Sequence, residues 1–114
     1  MSTTEQLNRW RHLIEPAIQE SITPMPWAEV CSLDVSVLEG KASVLVACDS
    51  NIGGKPVRSI WVAAGVLDEV LELVERACAQ ARRDGHTSIC YIGRRGWVKT
   101  AGFSELAIVG IRSL

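Results

Sequence analysis

Apart from tryptophan, aromatic residues are almost missing from this chain. Tyr91 and Phe103 are the single tyrosine and the single phenylalanine among 114 residues, against four tryptophans. None of the four cysteines, Cys31, Cys48, Cys78 and Cys90, belongs to a CxxC pair. That spacing argues against a zinc cage or a thioredoxin-type redox motif. No stretch approaches the ~18–20 continuous apolar residues of a membrane span. The start, Met1-Ser2-Thr3-Thr4-Glu5, lacks the basic-then-apolar layout of a secretion signal, so a cytoplasmic protein without membrane contact is expected. The formal net charge is −1, and global charge therefore gives no argument for nucleic acid or for an acidic membrane.

Apolar side chains are well supplied. Hydrophobic residues make up 47% of the chain, enough for one domain with a real core and for a self-association surface besides. Large indole rings suit protein contacts as well as cores, so Trp10, Trp27 and Trp61 are expected in one or the other. Each cysteine lies in an apolar run, where a free thiol behaves as a small core residue. Four buried structural thiols are expected. His86 precedes Cys90 by four residues, which on a strand is ~13 Å, too far for the imidazole to activate the thiol.

Hydrophobic spacing divides the chain into elements. Leu7, Trp10, Leu13, Ile14, Ile18 and Ile22 recur at helical intervals and predict a helix over 3–22. Ser2 or Thr3 would cap it with Glu5 or Gln6 as capping-box partner, and Pro16 would kink or divide it. Alternation predicts strands over 30–38, with Leu33, Val35 and Val37 on one face, and over 42–48, with Val44 and Val46 inward. Glu39-Gly40-Lys41 would join them as a hairpin turn. Asn51-Ile52-Gly53-Gly54-Lys55 has phosphate-loop composition, but Pro56 and a strand follow it, so it reads as a surface connector. A third strand is predicted over 57–63.

The second half repeats a helix-to-strand order. Leu67, Val70, Leu71, Val74, Ala77, Cys78 and Ala81 predict an amphipathic helix over 66–83. Asp68, Glu69 and Glu72 near its start and Arg82 and Arg83 at its end suit the helix dipole, and Gly85 suits the left-handed position after it. A buried strand over 87–92, a short helix over 94–101 and an apolar strand over 103–112 complete an αβββαβαβ order. The fold class is α+β, a mixed twisted sheet flanked by helices. No repeat, low-complexity tract or linker interrupts it, so 1–114 is expected to be a single domain.

The helix closing on Gly85, the strand 87–92, the short helix and Gly102-Phe103 resemble the C-terminal half of GNAT-family N-acetyltransferases. The hairpin and third strand fit that fold's central strands, and the N-terminal helix, divided at Pro16, looks like its first two helices. The family's usual first and last strands have no evident counterpart. Gly93-Arg94-Arg95-Gly96-Trp97, just before Gly102-Phe103, is also similar to small GNAT-like proteins of tailed phages, some of which lie among virion-assembly genes.

The resemblance implies acetyl-CoA bound where the third strand meets the long helix, on a Gln/Arg-x-x-Gly-x-Gly/Ala motif. The matching stretch, Ile60 to Glu69, has one glycine, Gly65, followed by Val66. It has no basic residue, and Asp68 and Glu69 already occupy the positive helix end and would repel a pyrophosphate. A tyrosine general acid four residues before the GF glycine is implied as well; Val98 stands there. Glu29, Asp34 and Glu39 are conceivable bases without a partner that marks any of them. Arg82, Arg83, Arg94, Arg95 and Lys99 could gather into a patch for phosphate or an acidic partner.

The leading expectation is therefore a non-enzymatic GNAT-like scaffold or interaction protein, phage- or prophage-encoded and linked to virion assembly, with Arg94, Arg95, Trp97 and Lys99 as contact residues and a protein partner or homo-oligomer. It has no cofactor, no metal and no catalytic residue. The alternatives are a divergent acetyl-CoA-dependent N-acetyltransferase using Gly65 and Val66, and a phosphate or nucleic-acid binder using Arg94 and Arg95.

Overall fold

The computed structural model describes residues 2–19, 24–92, 104–106 and 109–113. The expected short helix over 94–101, and with it Arg94, Arg95, Trp97 and Lys99, lies outside the described residues. Within them the chain runs α1 (Thr3–Arg9), α2 (Arg11–Gln19), α3 (Trp27–Val30), β1 (Ser36–Glu39), β2 (Val44–Ile52), β3 (Lys55–Ala64), α4 (Leu67–Arg83), β4 (Ser88–Ile92), β5 (Ser104–Leu106) and β6 (Val109–Ser113). The strands form one mixed sheet in the order β1-β2-β3-β4-β6-β5, parallel only between β3 and β4. Alpha helices and a mixed sheet bear out the α+β class.

Helices cover both faces of the sheet. On one face Leu7, Trp10, Ile14 and Ile18 of α1 and α2 pack with Val30 against Val44, Val46 and Val62. On the other, Leu73, Val74, Ala77 and Cys78 of α4 pack on Leu45, Ala47, Ile60, Ile89 and Tyr91. This is why β2 buries Val44, Leu45, Val46 and Ala47 in succession: both its faces meet a core. Each large aliphatic side chain so enclosed contributes roughly 1.5–3 kcal/mol.

The N-terminal helix divides at Trp10, not at Pro16. Trp10 leaves the α region (φ −103°, ψ 11°), while its carbonyl accepts the N–H groups of Leu13 and Ile14. Pro16 lies inside α2. Its missing donor would have served the carbonyl of His12. Both residues are exposed, so water replaces that bond. Ser2 caps α1, accepting the Glu5 N–H at 3.1 Å, as the capping-box pattern predicts.

The expected strand over 30–38 is corrected to a helical turn and a shorter strand. Pro26 fixes extended backbone at the N-cap of α3 (φ −63°, ψ 150°), and strand pairing begins only at Ser36. Leu33 consequently lies outside the sheet, 38% exposed, while Val35 is buried as expected. The hairpin is present: Glu39 pairs with Val44, and the turn closes through the Gly40 N–H on the Ser43 carbonyl at 2.8 Å.

Residues 49–56 are a second correction. β2 and β3 run on through Asn51↔Pro56 and Ile52↔Lys55, joined by Gly53 and Gly54 at φ 60° and 81°. Two consecutive left-handed residues make the mirror-image turn whose twist matches a hairpin. Pro56 is tolerated because β4 pairs with β3 only from Arg58 onward, leaving one edge of β3 free at the proline.

Beyond β3 the expected amphipathic helix is α4, with two adjustments. Leu67 is 60% exposed, and Leu73 joins the buried stripe. The helix ends as Gly85 predicts. Gly85 takes φ 88°; its N–H bonds the Arg82 carbonyl at 3.1 Å, and the His86 N–H bonds the Ala81 carbonyl at 2.9 Å. That is the paired Schellman closure. The single terminal strand expected over 103–112 is instead two, β5 and β6, paired antiparallel, with β6 also paired to β4. No described helix is long and apolar enough to cross a membrane.

Candidate functional site

Gly65 and Val66 sit where parallel β3 gives way to α4. The backbone turns sharply there, with Gly65 at φ 128°. The β1–β2 turn lies directly against it. A Cβ on Gly65 would lie 2.6 Å from both the Ala42 carbonyl oxygen and the Ser43 Cα, and against the Ser43 hydroxyl. Glycine is needed for the conformation and for the contact.

That contact ties the start of α4 to the β1–β2 turn by two hydrogen bonds. Val66 is the N-cap of α4 and supplies no side-chain cap of its own. Its N–H is donated to the hydroxyl of Ser43 at 2.8 Å; Ser43 is fully buried. In return Glu69, in the first turn of α4, accepts the Ala42 N–H at 3.0 Å. Gly40 leaves room for this carboxylate, since a Cβ there would stand 2.7 Å from Glu69 Oε1. The Ala42 N–H, the Ser43 hydroxyl and nearby Lys41 hold the Glu69 carboxyl below its ordinary range. The junction is thus a reciprocal tie between the β1–β2 turn and the start of α4. Its anion is the chain's own Glu69, at the end of the helix where negative charge is favoured.

Ser43→Ala is expected to cost about 1 kcal/mol, because the Val66 N–H then loses its acceptor in a part-buried site. Urea denaturation monitored by circular dichroism measures this.

A second polar cluster lies at the other end of α4. Arg58 of β3 is 9% exposed and donates to Asp49 of β2 at 2.6 Å and to Asp84, the C-cap of α4, at 2.8 Å. Burial works against the guanidinium charge, but the bonds to Asp84 and Asp49 outweigh it and raise its pKa. Asp84 is in turn held below the usual carboxylate range, first by its bond to Arg58. His86 Nε2 stands 3.5 Å from Asp49 Oδ1, and its Nδ1 is buried without a partner.

Glu69 and Asp84 both have folded pKa values below their unfolded ones. Their stabilisation is present above the unfolded carboxylate values of about 4 and is lost as pH falls through the folded values. The melting temperature should therefore be flat near neutrality and drop below about pH 4, and Glu69→Gln together with Asp84→Asn should flatten the drop. Thermal melts across that range test it.

The cysteines are free. Cys78 and Cys90 are buried as expected, whereas Cys31 and Cys48 are only half-buried. Cys90 Sγ lies 3.0 Å from the Ser59 hydroxyl. Burial is the main cause that raises the thiol pKa of both Cys90 and Cys48, so neither is a ready nucleophile. Among the expected bases, Glu39 is engaged by Arg9 at 3.2 Å, Glu29 lies on α3 and Asp34 is an exposed residue before β1. Trp10 is in the core. Trp27 is half-buried, donating to Asn8 at 2.9 Å with Arg11 stacked 5.1 Å from its ring centre, and Trp61 is half-buried against the same core. Among the described residues no group of three or more His, Cys, Asp or Glu side chains is placed to hold a metal ion.

Compared with family models, with curated proteins and with solved structures, the chain matches none.

Proposed function

We propose that this chain is a GNAT-like scaffold that works through protein contacts and not through acetyl transfer. The observation that carries this reading is the β3–α4 junction. In the resemblance, that junction is where the cofactor pyrophosphate would meet backbone N–H groups at a helix start. Here the Val66 N–H is spent on Ser43, and Glu69 is bonded to the adjoining turn. A pyrophosphate there would displace one bond and face a carboxylate that the fold keeps ionised. The fold likeness rests on a long helix bridging the parallel pair β3 and β4 and on Gly85 to Phe103 in sequence.

Val66 and Leu67 support a contact role, being adjacent aliphatic residues 53% and 60% exposed at this same corner. The part of the proposal concerning tailed phages and virion assembly rests on Gly93-Arg94-Arg95-Gly96-Trp97 alone, with Arg94, Arg95, Trp97 and Lys99 as its contact residues. Capsid, tail or internal-virion genes beside the coding sequence would support that part, and a wholly metabolic neighbourhood would oppose it. Light scattering on the purified protein tests the contact role. Self-association or a co-eluting protein is expected; a strict monomer that retains no partner at any concentration contradicts it.

A further inference from the structure

Among the described residues β1 is an edge of the sheet and pairs with β2 alone. The hairpin closes through the Gly40 N–H on the Ser43 carbonyl. Backbone groups alternate in direction along a strand, so those of Leu38 also point at β2, and those of Val37 and Glu39 point outward. The N–H and carbonyl of Val37 and the N–H of Glu39 have no partner among the described residues. Val37 and Leu38 are aliphatic and half-buried. Such a row is a ready template for a further strand.

One outward group is taken. The Glu39 carbonyl accepts a hydrogen bond from Arg76 Nη1 of α4 at 3.2 Å. From the other face of the sheet Arg9 of α1 reaches the Glu39 carboxylate, also at 3.2 Å. Two helices on opposite faces thus send an arginine to the last residue of the edge strand. We propose that Arg76 is a guard that keeps the free edge of β1 from pairing with a second copy of this chain.

Magnitude separates this role from a structural one. Arg76 is exposed, and a bond from an exposed arginine adds little to stability. Alanine, moreover, is the better helix former at its position. For strand addition the same bond matters more. The guanidinium occupies the acceptor that an incoming N–H would need and sets a charge on the edge. An antiparallel pair of β1 strands related by a two-fold axis has two such ends, and both are closed. The reciprocal bonds left to Val37 are too few to hold a ladder.

Sedimentation equilibrium of wild type and Arg76→Ala tests this, with amide hydrogen exchange followed by NMR. Arg76→Ala is expected to self-associate at least about tenfold more tightly than wild type. Its melting temperature should stay within about 2 °C. The Val37 and Glu39 amides should become protected as its concentration rises, while those of wild type exchange freely. Adding Val37→Pro should return association to the wild-type level. The proline removes an outward N–H, which an edge strand tolerates. Equal association of Arg76→Ala and wild type would overturn the inference. So would association that leaves the Val37 and Glu39 amides unprotected, or a large fall in melting temperature on Arg76→Ala. Self-association through the Val66 and Leu67 corner is common to both proteins and cancels in the comparison, so the outcome is independent of the contact role proposed above.

Discussion

Gly65→Ala should cost about 3 kcal/mol or more and leave the protein largely unfolded under mild denaturant. Two penalties coincide. The backbone at φ 128° is a conformation L-residues rarely adopt, and the new methyl would stand 2.6 Å from Ala42 and Ser43 backbone atoms. Relief would require the β1–β2 turn to lift from α4, breaking Ser43 to Val66 and Glu69 to Ala42 together. Gly54 provides the comparison: its φ is 81° and nothing lies within 4 Å of its would-be Cβ. Gly54→Ala therefore carries only the strain of the left-handed region, about 1–2 kcal/mol. Urea denaturation of both variants measures the difference, which is the contribution of the close approach. Comparable losses would mean that the turn does not press on the junction.

Arg58→Ala should be the other large loss, about 3 kcal/mol. The guanidinium ties two adjacent strands to the end of α4 through Asp49 and Asp84. Both carboxylates are about half exposed or more, so water screens them, and the value belongs below that of a fully buried triad. The remainder is the enclosed aliphatic stem of Arg58. Arg58→Met keeps the stem and should recover roughly 1 kcal/mol of the loss. Arg58→Lys should not restore wild-type stability, because one ammonium cannot reproduce two directed bonds to separate carboxylates. Full stability in the lysine variant would show that charge alone suffices there.

The parts of this fold that follow from local rules were readable in the sequence. The stripe from Val70 to Ala81 and the glycine at position 85 both act within a few residues, and α4 with its closure follows from them. Val44 to Ala47 was legible as strand for the same reason. The region 24–36 was not. Its alternation, with Leu33, Val35 and Val37 on one face, mimics a strand, and the tertiary seat of Val30 against α1 and α2 favours a helical turn. Gly53-Gly54 carried a hairpin signal, masked by polar neighbours and by Pro56, whose tolerance depends on how far β4 extends along β3.

The junction itself was half legible. Gly65 and Val66 could be placed at a strand–helix turn, and Asp68 and Glu69 in its first turn, from spacing alone. What fills that turn could not, because Ser43 lies 23 residues from Val66 and Ala42 lies 27 from Glu69. Such pairs leave no periodic trace. Gly40 and Gly65 are the available hints, since each stands where a side chain would collide with the other element. Arg58 and Asp84, 26 residues apart, illustrate the same limit; the basic residue inside a strand pattern was the one signal.

Whether the junction is closed by the chain's own groups is most directly measured by calorimetric titration of the wild-type protein with acetyl-CoA. The account predicts no saturable heat, since the Val66 N–H is held by Ser43 and the Glu69 carboxylate stands in the first turn of α4. Stoichiometric binding at about micromolar affinity or tighter, some 8 kcal/mol of free energy, would contradict it.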